Sequence, residues 1–258
     1  PRIPHDIYVP APRDTGRPAN LGDKVVVEMK AWESRHTNPE GEIIEVLGPP
    51  DEEGVDMLSV LRQYHLPLHF PKEVLQAANT FGNEVSARDR AGRRDCRRQN
   101  VITIDPDDAK DFDDAFCLER RPGSNQWKLW IHIADVSHYV KPGDALDQEA
   151  RKRGNSTYLV DRVIPMLPEK LSNKVCSLRP GEDKLTYSCI MEVSPRGTVK
   201  SYQIRETVIH SAHRFTYEEA QEVLQGDHPD HPLAEDVAEM GRLARTLTQK
   251  RMRAGSVD

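Results

Sequence analysis

The chain has 258 residues, enough for one sizeable hydrophobic core or for one core plus a small module. Its formal charge of −6 excludes a uniformly basic nucleic-acid binder, so any positive potential has to be local. No stretch approaches about 18 consecutive apolar residues and the first residues do not form a signal sequence, which excludes a helical membrane span and points to a soluble cytoplasmic protein.

In chain order, Lys24–Met29 and Glu42–Leu47 have the composition of β-strands and are joined by a polar loop with Pro39 and Gly41. Pro49-Pro50-Asp51-Glu52-Glu53-Gly54 marks a boundary. Two helices are predicted next. Asp56–Tyr64 places Met57, Val60, Leu61 and Tyr64 on one face, and a second helix starting at Pro71 carries Val74, Leu75 and Ala78. Six arginines against two aspartates follow between Arg88 and Arg98, read either as a solvated linker or as a rim that contacts phosphates. Beyond them strands are predicted over 101–104, 127–135, 185–194 and 198–211, and helices over 144–154, 217–225 and 233–253. Ser194-Pro195-Arg196-Gly197 is a turn, Thr216 with Glu219 forms a capping box, and Leu233, Val237, Met240, Leu243 and Leu247 make a core-facing stripe. Cys96, Cys117, Cys176 and Cys189 contain no CxxC pair; they read as free thiols of a reducing cytoplasm rather than as a zinc or redox site.

One segment stands apart. Between Asp105 and Asp114, six of ten residues are aspartate, directly after the apolar strand Val101-Ile102-Thr103-Ile104. Carboxylates this dense repel one another unless cations neutralise them, and hard divalent ions prefer oxygen ligands. The segment is therefore either a solvated acidic loop with turn aspartates around Asp105-Pro106, or a magnesium-type centre that handles phosphates. A calcium loop of EF-hand type is excluded: counted from Asp105, Lys110 stands where glycine is needed and Phe116 where glutamate is needed. In an extended segment Asp111 and Asp113 share a side while Asp113 and Asp114 point apart, so four ligands converge only if the loop is irregular. Tyr158 reads as a half-buried packing residue, and His132, Asp135 and His138 as structural. Arg214 either reaches a phosphate or pairs with an acidic neighbour.

The order Thr103-Ile104-Asp105-Pro106-x-Asp108-Ala109-Lys110-Asp111-Phe112-Asp113-Asp114-Ala115 resembles the signature of the ribonuclease II/ribonuclease R family of 3′→5′ exoribonucleases. Four family aspartates, at offsets of zero, six, eight and nine, fall on Asp105, Asp111, Asp113 and Asp114. Trp130–Ser137, Tyr158, Val163–Pro168, Leu171-Ser172, Cys176-Ser177-Leu178 and Ile209–Tyr217 match in order, with details nearer to the bacterial ribonuclease R branch. Arg94-Asp95-Cys96-Arg97 is similar to the family's Arg-Asp-Leu-Arg segment, and the first 50 residues resemble the later part of a cold-shock domain, an OB-type barrel that grips single-stranded RNA. The implied fold class is a mixed α/β catalytic domain over 90–258, preceded by part of that barrel over 1–50 and a helical linker over 51–89.

The resemblance implies a monomer that hydrolyses single-stranded RNA processively to nucleoside 5′-monophosphates by a two-metal mechanism. Asp105, Asp111 and Asp114 would hold Mg²⁺ or Mn²⁺, and cleavage would depend most on Asp113. Tyr158 would stack on the 3′-terminal base, with Arg94 and Arg97 on phosphates. A regulator that binds RNA without cutting it is the alternative, and it should have lost part of the aspartate quartet, which is intact here. Both ends look cut from a longer protein, with further catalytic parts expected beyond Asp258, so these residues alone should have little or no activity.

Overall fold

The computed structural model describes residues 5–10, 14–34, 36–160 and 162–256. They fall into two compact units: one runs through Phe70 and takes in Tyr158–Ile164, and the other comprises Pro71–Thr157 and the residues from Pro165 onward.

In the first unit β1 (Lys24–Ala31) and β2 (Glu40–Gly48) pair antiparallel, with Val25 opposite Val46 and Val27 opposite Ile43. A Cβ on Gly41 would lie 2.5 Å from Val27 Cγ1 and 2.8 Å from Ile7 Cγ2, so only glycine permits this approach. Helix α1 (Val55–Gln63) buries Val55 and Leu61. Its Arg62 grips Glu45 of β2 with two hydrogen bonds of 2.6 and 2.9 Å, a bidentate arrangement that fixes orientation as well as charge. Helix α1 therefore belongs to the β1–β2 unit, and the compact division falls after Phe70, whereas the resemblance implies boundaries at 50 and 89.

The second unit opens with α2 (Lys72–Asn79) and the single turn α3 (Ala87–Arg90), closed by reciprocal hydrogen bonds between Ser86 and Asp89. Then come β3 (Arg94–Asp95), β4 (Val101–Ile104), β5 (Asp114–Arg120), β6 (Trp127–Ala134), the turn α4 (Val136–Tyr139) and α5 (Ala145–Arg153). A short hairpin of β7 (Thr157–Tyr158) and β8 (Val163–Ile164) belongs, from Tyr158 onward, to the first unit; back in the second, a π-helical turn follows over Leu171–Val175. The long strands β9 (Asp183–Val193) and β10 (Val199–Phe215) and the helices α6 (Tyr217–Gln225) and α7 (Ala234–Arg253) complete it.

The six-stranded sheet has the order β3-β10-β4-β5-β6-β9, and β9 also pairs with β10. Strands β4, β5, β6, β9 and β10 thus close into a ring. Strand β10 makes the closure possible: its first part runs antiparallel to β9, with Thr207 opposite Thr186, and its end runs parallel to β4, with Phe215 opposite Ile104. On the buried face His132, Ser188, Thr186 and Thr207 join in a hydroxyl–imidazole network; the opposite face exposes Ile133, Tyr187, Tyr202 and Ile204. Helices α6 and α7 cover another flank, where Ile102 and Phe215 pack against Ala220, Val223, Leu233 and Val237. The expected mixed sheet with surrounding helices is present.

Three local differences from the sequence reading have physical causes. Strand β5 was not expected because Ala115, Cys117 and Leu118 are all buried, so it lacks a clean two-residue alternation. Strand β10 continues past 211 to Phe215 because its last residues exchange β9 for β4 as partner. Asp135 caps α4, accepting from the His138 N–H, so the strand predicted over 127–135 stops at Ala134. Among the described residues no helix is long and apolar enough to cross a membrane, and the four cysteines are free thiols.

Candidate functional site

The aspartate-rich segment leaves β4 at Asp105 and re-enters the ring at Asp114, the first residue of β5. Between them the backbone is irregular and pinned by neutral groups. The Asp105 N–H donates to the Phe215 carbonyl at 3.0 Å, the Ala134 N–H to the Asp113 carbonyl at 2.9 Å, and the Leu178 N–H to the Phe112 carbonyl at 2.8 Å. The Ser177 hydroxyl accepts from the Phe112 N–H at 3.1 Å and donates to the Lys110 carbonyl at 2.9 Å. Arg214 donates to the carbonyls of Pro106 and Asp107 and lies 5.5 Å over the Phe112 ring, while its charge is 3.8 Å from the Asp107 carboxylate. Arg214 thus latches the loop through its carbonyls and approaches the acidic neighbour Asp107, one of its two anticipated partners.

The loop gathers more negative charge than Arg214 offsets. Burial and the charges of Asp114 and Asp111 push the Asp105 carboxyl above the usual carboxylate range. Its Oδ2 is buried without a hydrogen-bond partner. Asp113 is open to solvent on one side, yet the protein atoms packed around it and the charges of Asp111, Asp114 and Asp105 push its carboxyl up as well. The four aspartates of the quartet thus sense one another, whereas Asp107 and Asp108 are exposed. Among the described residues no group of three or more carboxylate, histidine or cysteine side chains is placed so that it could hold a metal ion; bare carboxylates repel. The donor set nonetheless fits a hard divalent cation, being all oxygen and including the unsatisfied Asp105 Oδ2. Beside the loop a cleft of about 540 Å³ is lined by Lys110, Lys174, Arg179 and Arg214 with Phe112, against Asp107 and Glu169, so local positive charge borders the carboxylates.

The other candidates are placed as follows. Tyr158 lies in β7 with its side chain 66% exposed, more open than a half-buried packing residue, and goes with the first unit. The Arg94 guanidinium sits 4.7 Å over the Trp130 ring. Arg97 bonds Asp95 at 2.7 and 3.0 Å and Asp183 at 3.0 Å. Arg93 makes a buried ion pair with Asp135 at 2.5 Å and approaches His138, which fixes those residues in a structural network. Buried His132 bonds Ser188 and is pushed down to about 4 by burial. Sequence reasoning assigned no role to Ser177, and only its place in the Cys176-Ser177-Leu178 match marked it.

A ring of strands whose rim carries this loop is an RNB domain: the family model of that description matches residues 93–258, and a cold shock domain model matches residues 1–71. Ribonuclease R of Thermotoga maritima is 42% identical over 97% of this chain and 36% of its own length, and ribonuclease R of Aquifex aeolicus is 42% identical over 92% and 34%. The chain belongs to the ribonuclease R family. It spans about a third of the length of these curated relatives. A structure of Mycoplasma genitalium RNase R in complex with ribose-methylated single-stranded RNA shares the fold, with a TM-score of 0.87 and 24% identity over 100% of this chain and 40% of the other.

Proposed function

We propose that this chain contributes the metal-binding half of a 3′→5′ exoribonuclease that degrades single-stranded RNA processively to nucleoside 5′-monophosphates. The observation that carries the reading is the aspartate loop, held in place by Ser177, peptide groups and Arg214 while the charges of Asp111 and Asp114 help push the carboxyls of Asp105 and Asp113 upward. A fold without a cation to bind has no reason to keep that repulsion, and RNA held by a fold relative supports the substrate class.

Asp105, Asp111 and Asp114 would hold Mg²⁺ or Mn²⁺, which when bound in pairs supplies an activated water and stabilises the attacking and leaving oxygens of the phosphodiester. Asp113 acts on the transition state more than on ground-state grip, Lys110 and Arg179 offer charge to the phosphates in the cleft, and Arg214 keeps the loop shut against β4. Arg94 and Arg97 would contact phosphates from the arginine segment. The exposed ring of Tyr158 is suited to stacking on the terminal base, a contact that tolerates any sequence and is worth about 1–3 kcal/mol. Free thiols agree with a monomer working in a reducing cytoplasm.

The test is a 5′-labelled single-stranded RNA given to the enzyme that carries this chain. Stepwise shortening with Mg²⁺, release of 5′-mononucleotides and arrest by chelator are expected; internal cuts or chelator-insensitive cleavage would overturn the reading. Tyr158→Ala should lengthen the final oligonucleotide, because the stack matters most when few nucleotides remain bound. An unchanged product ladder with a lowered melting temperature would make Tyr158 a packing residue.

A further inference from the structure

Ser177 is completely buried, and its hydroxyl is used twice, both times on the aspartate loop. It accepts from the N–H of Phe112 and donates to the carbonyl of Lys110, the two residues that flank Asp111. The next residue, Leu178, repeats the contact through its backbone N–H on the Phe112 carbonyl. The side chain that makes this grip is itself immobilised. Leu171, Val175 and Leu178 are buried around the π-helical turn, and the buried Lys184 donates its ammonium protons to the carbonyls of Lys174 and Val175 at the end of that turn. π-Turns recur at functional sites, where they redirect a segment at the expense of regular bonding.

From these contacts we infer that Ser177 is a positioning residue for the metal site: it fixes the peptide units on both sides of Asp111 and so sets where that carboxylate points. The inference rests on the proposed reading of the loop as a cation site. Removing the hydroxyl leaves the buried Phe112 N–H and the part-buried Lys110 carbonyl without their partner, and the simplest relief is rotation of the peptide units around Asp111. Partners that orient metal ligands typically change affinity by 10–100-fold when lost.

The experiment titrates the 258-residue chain with Mn²⁺, reading free ion by paramagnetic resonance, and follows backbone amide exchange alongside. Ser177→Ala is expected to weaken Mn²⁺ binding about tenfold or more. It should speed exchange at Phe112 while Trp130 and Ile190 in the ring stay protected. Should Ser177→Ala fail to fold, Ser177→Cys keeps the volume but weakens both hydrogen bonds and is read in the same way. Unchanged Mn²⁺ affinity with a lowered melting temperature would leave Ser177 a purely structural residue and overturn the inference. A parent chain that takes up no Mn²⁺, with Asp111→Asn indistinguishable from it, would bring down the cation-site reading and the inference together.

Discussion

Two charged segments stand within a few residues of each other in the chain and are built in opposite ways. The arginine segment settles part of its charge internally: Arg93 on Asp135, Arg97 on Asp95 and Asp183, Arg90 on Asp183. Its acidic partners respond accordingly. Hydrogen bonds from Arg97 hold Asp95 down to about 2, and Asp135 and Asp183 lie below the usual range despite partial burial because Ser137, His210 and the arginines bond them. The aspartate loop is offset less, with Arg214 3.8 Å from the exposed Asp107. Its Asp105 and Asp113 are pushed the other way, and what holds the backbone is a serine hydroxyl, peptide groups and a guanidinium that bonds carbonyls. A charge cluster whose partners come from within is architecture; carboxyls pushed upward by one another are what the proposed cation site would draw on.

The contrast can be broken at either segment. The largest effect is expected from Asp113→Asn in the full-length enzyme, where hydrolysis should fall by at least about a hundredfold while RNA affinity stays within a few-fold, since positioning near the reacting phosphate governs rate at that scale. Trimming of labelled RNA at near parental rate would remove Asp113 from the chemistry. Next comes Arg93→Met, which strands a buried Asp135 carboxylate and should cost about 3–5 kcal/mol in urea unfolding. A loss below 1 kcal/mol would mean that the segment is not the internal strut described above. Asp105→Asn should have the opposite sign in metal-free protein, raising the melting temperature by about 2–4 °C for each kcal/mol of repulsion relieved. Excess Mn²⁺ should then reverse the ranking by stabilising only the parent chain, and a drop in melting temperature without metal would deny the loop its stored repulsion. Smallest is Arg97→Gln. Its pairs are half-exposed, so stability should change by under about 1 kcal/mol, while loss of one phosphate contact should flatten the slope of log affinity against log salt by about 0.7. An unchanged slope would place Arg97 wholly in the architecture.

The sequence made some of this legible and hid the rest for reasons of physics. Helix α6 was readable end to end because Thr216 and Glu219 form its cap from residues three apart. The stripe of α7 was readable because burial on one flank imposes a helical period. Strand β5 was hidden by burial on both faces, and the ring closure was hidden because no local pattern shows that one strand serves two partners. The four aspartates were visible as a pattern. Their supports were not, since Ser177 and Arg214 reach the loop from 65 to 108 residues away in the chain.

The parallel pairing of β4 with the end of β10 also has a consequence in time. It joins segments about 110 residues apart, and the same junction supplies the carbonyl of Phe215 to Asp105 and the guanidinium of Arg214 to the loop. Contacts of such sequence separation form late, after the loop-closure entropy of the intervening chain has been overcome. The loop therefore acquires its Phe215 and Arg214 contacts only once the last long strand has docked beside β4.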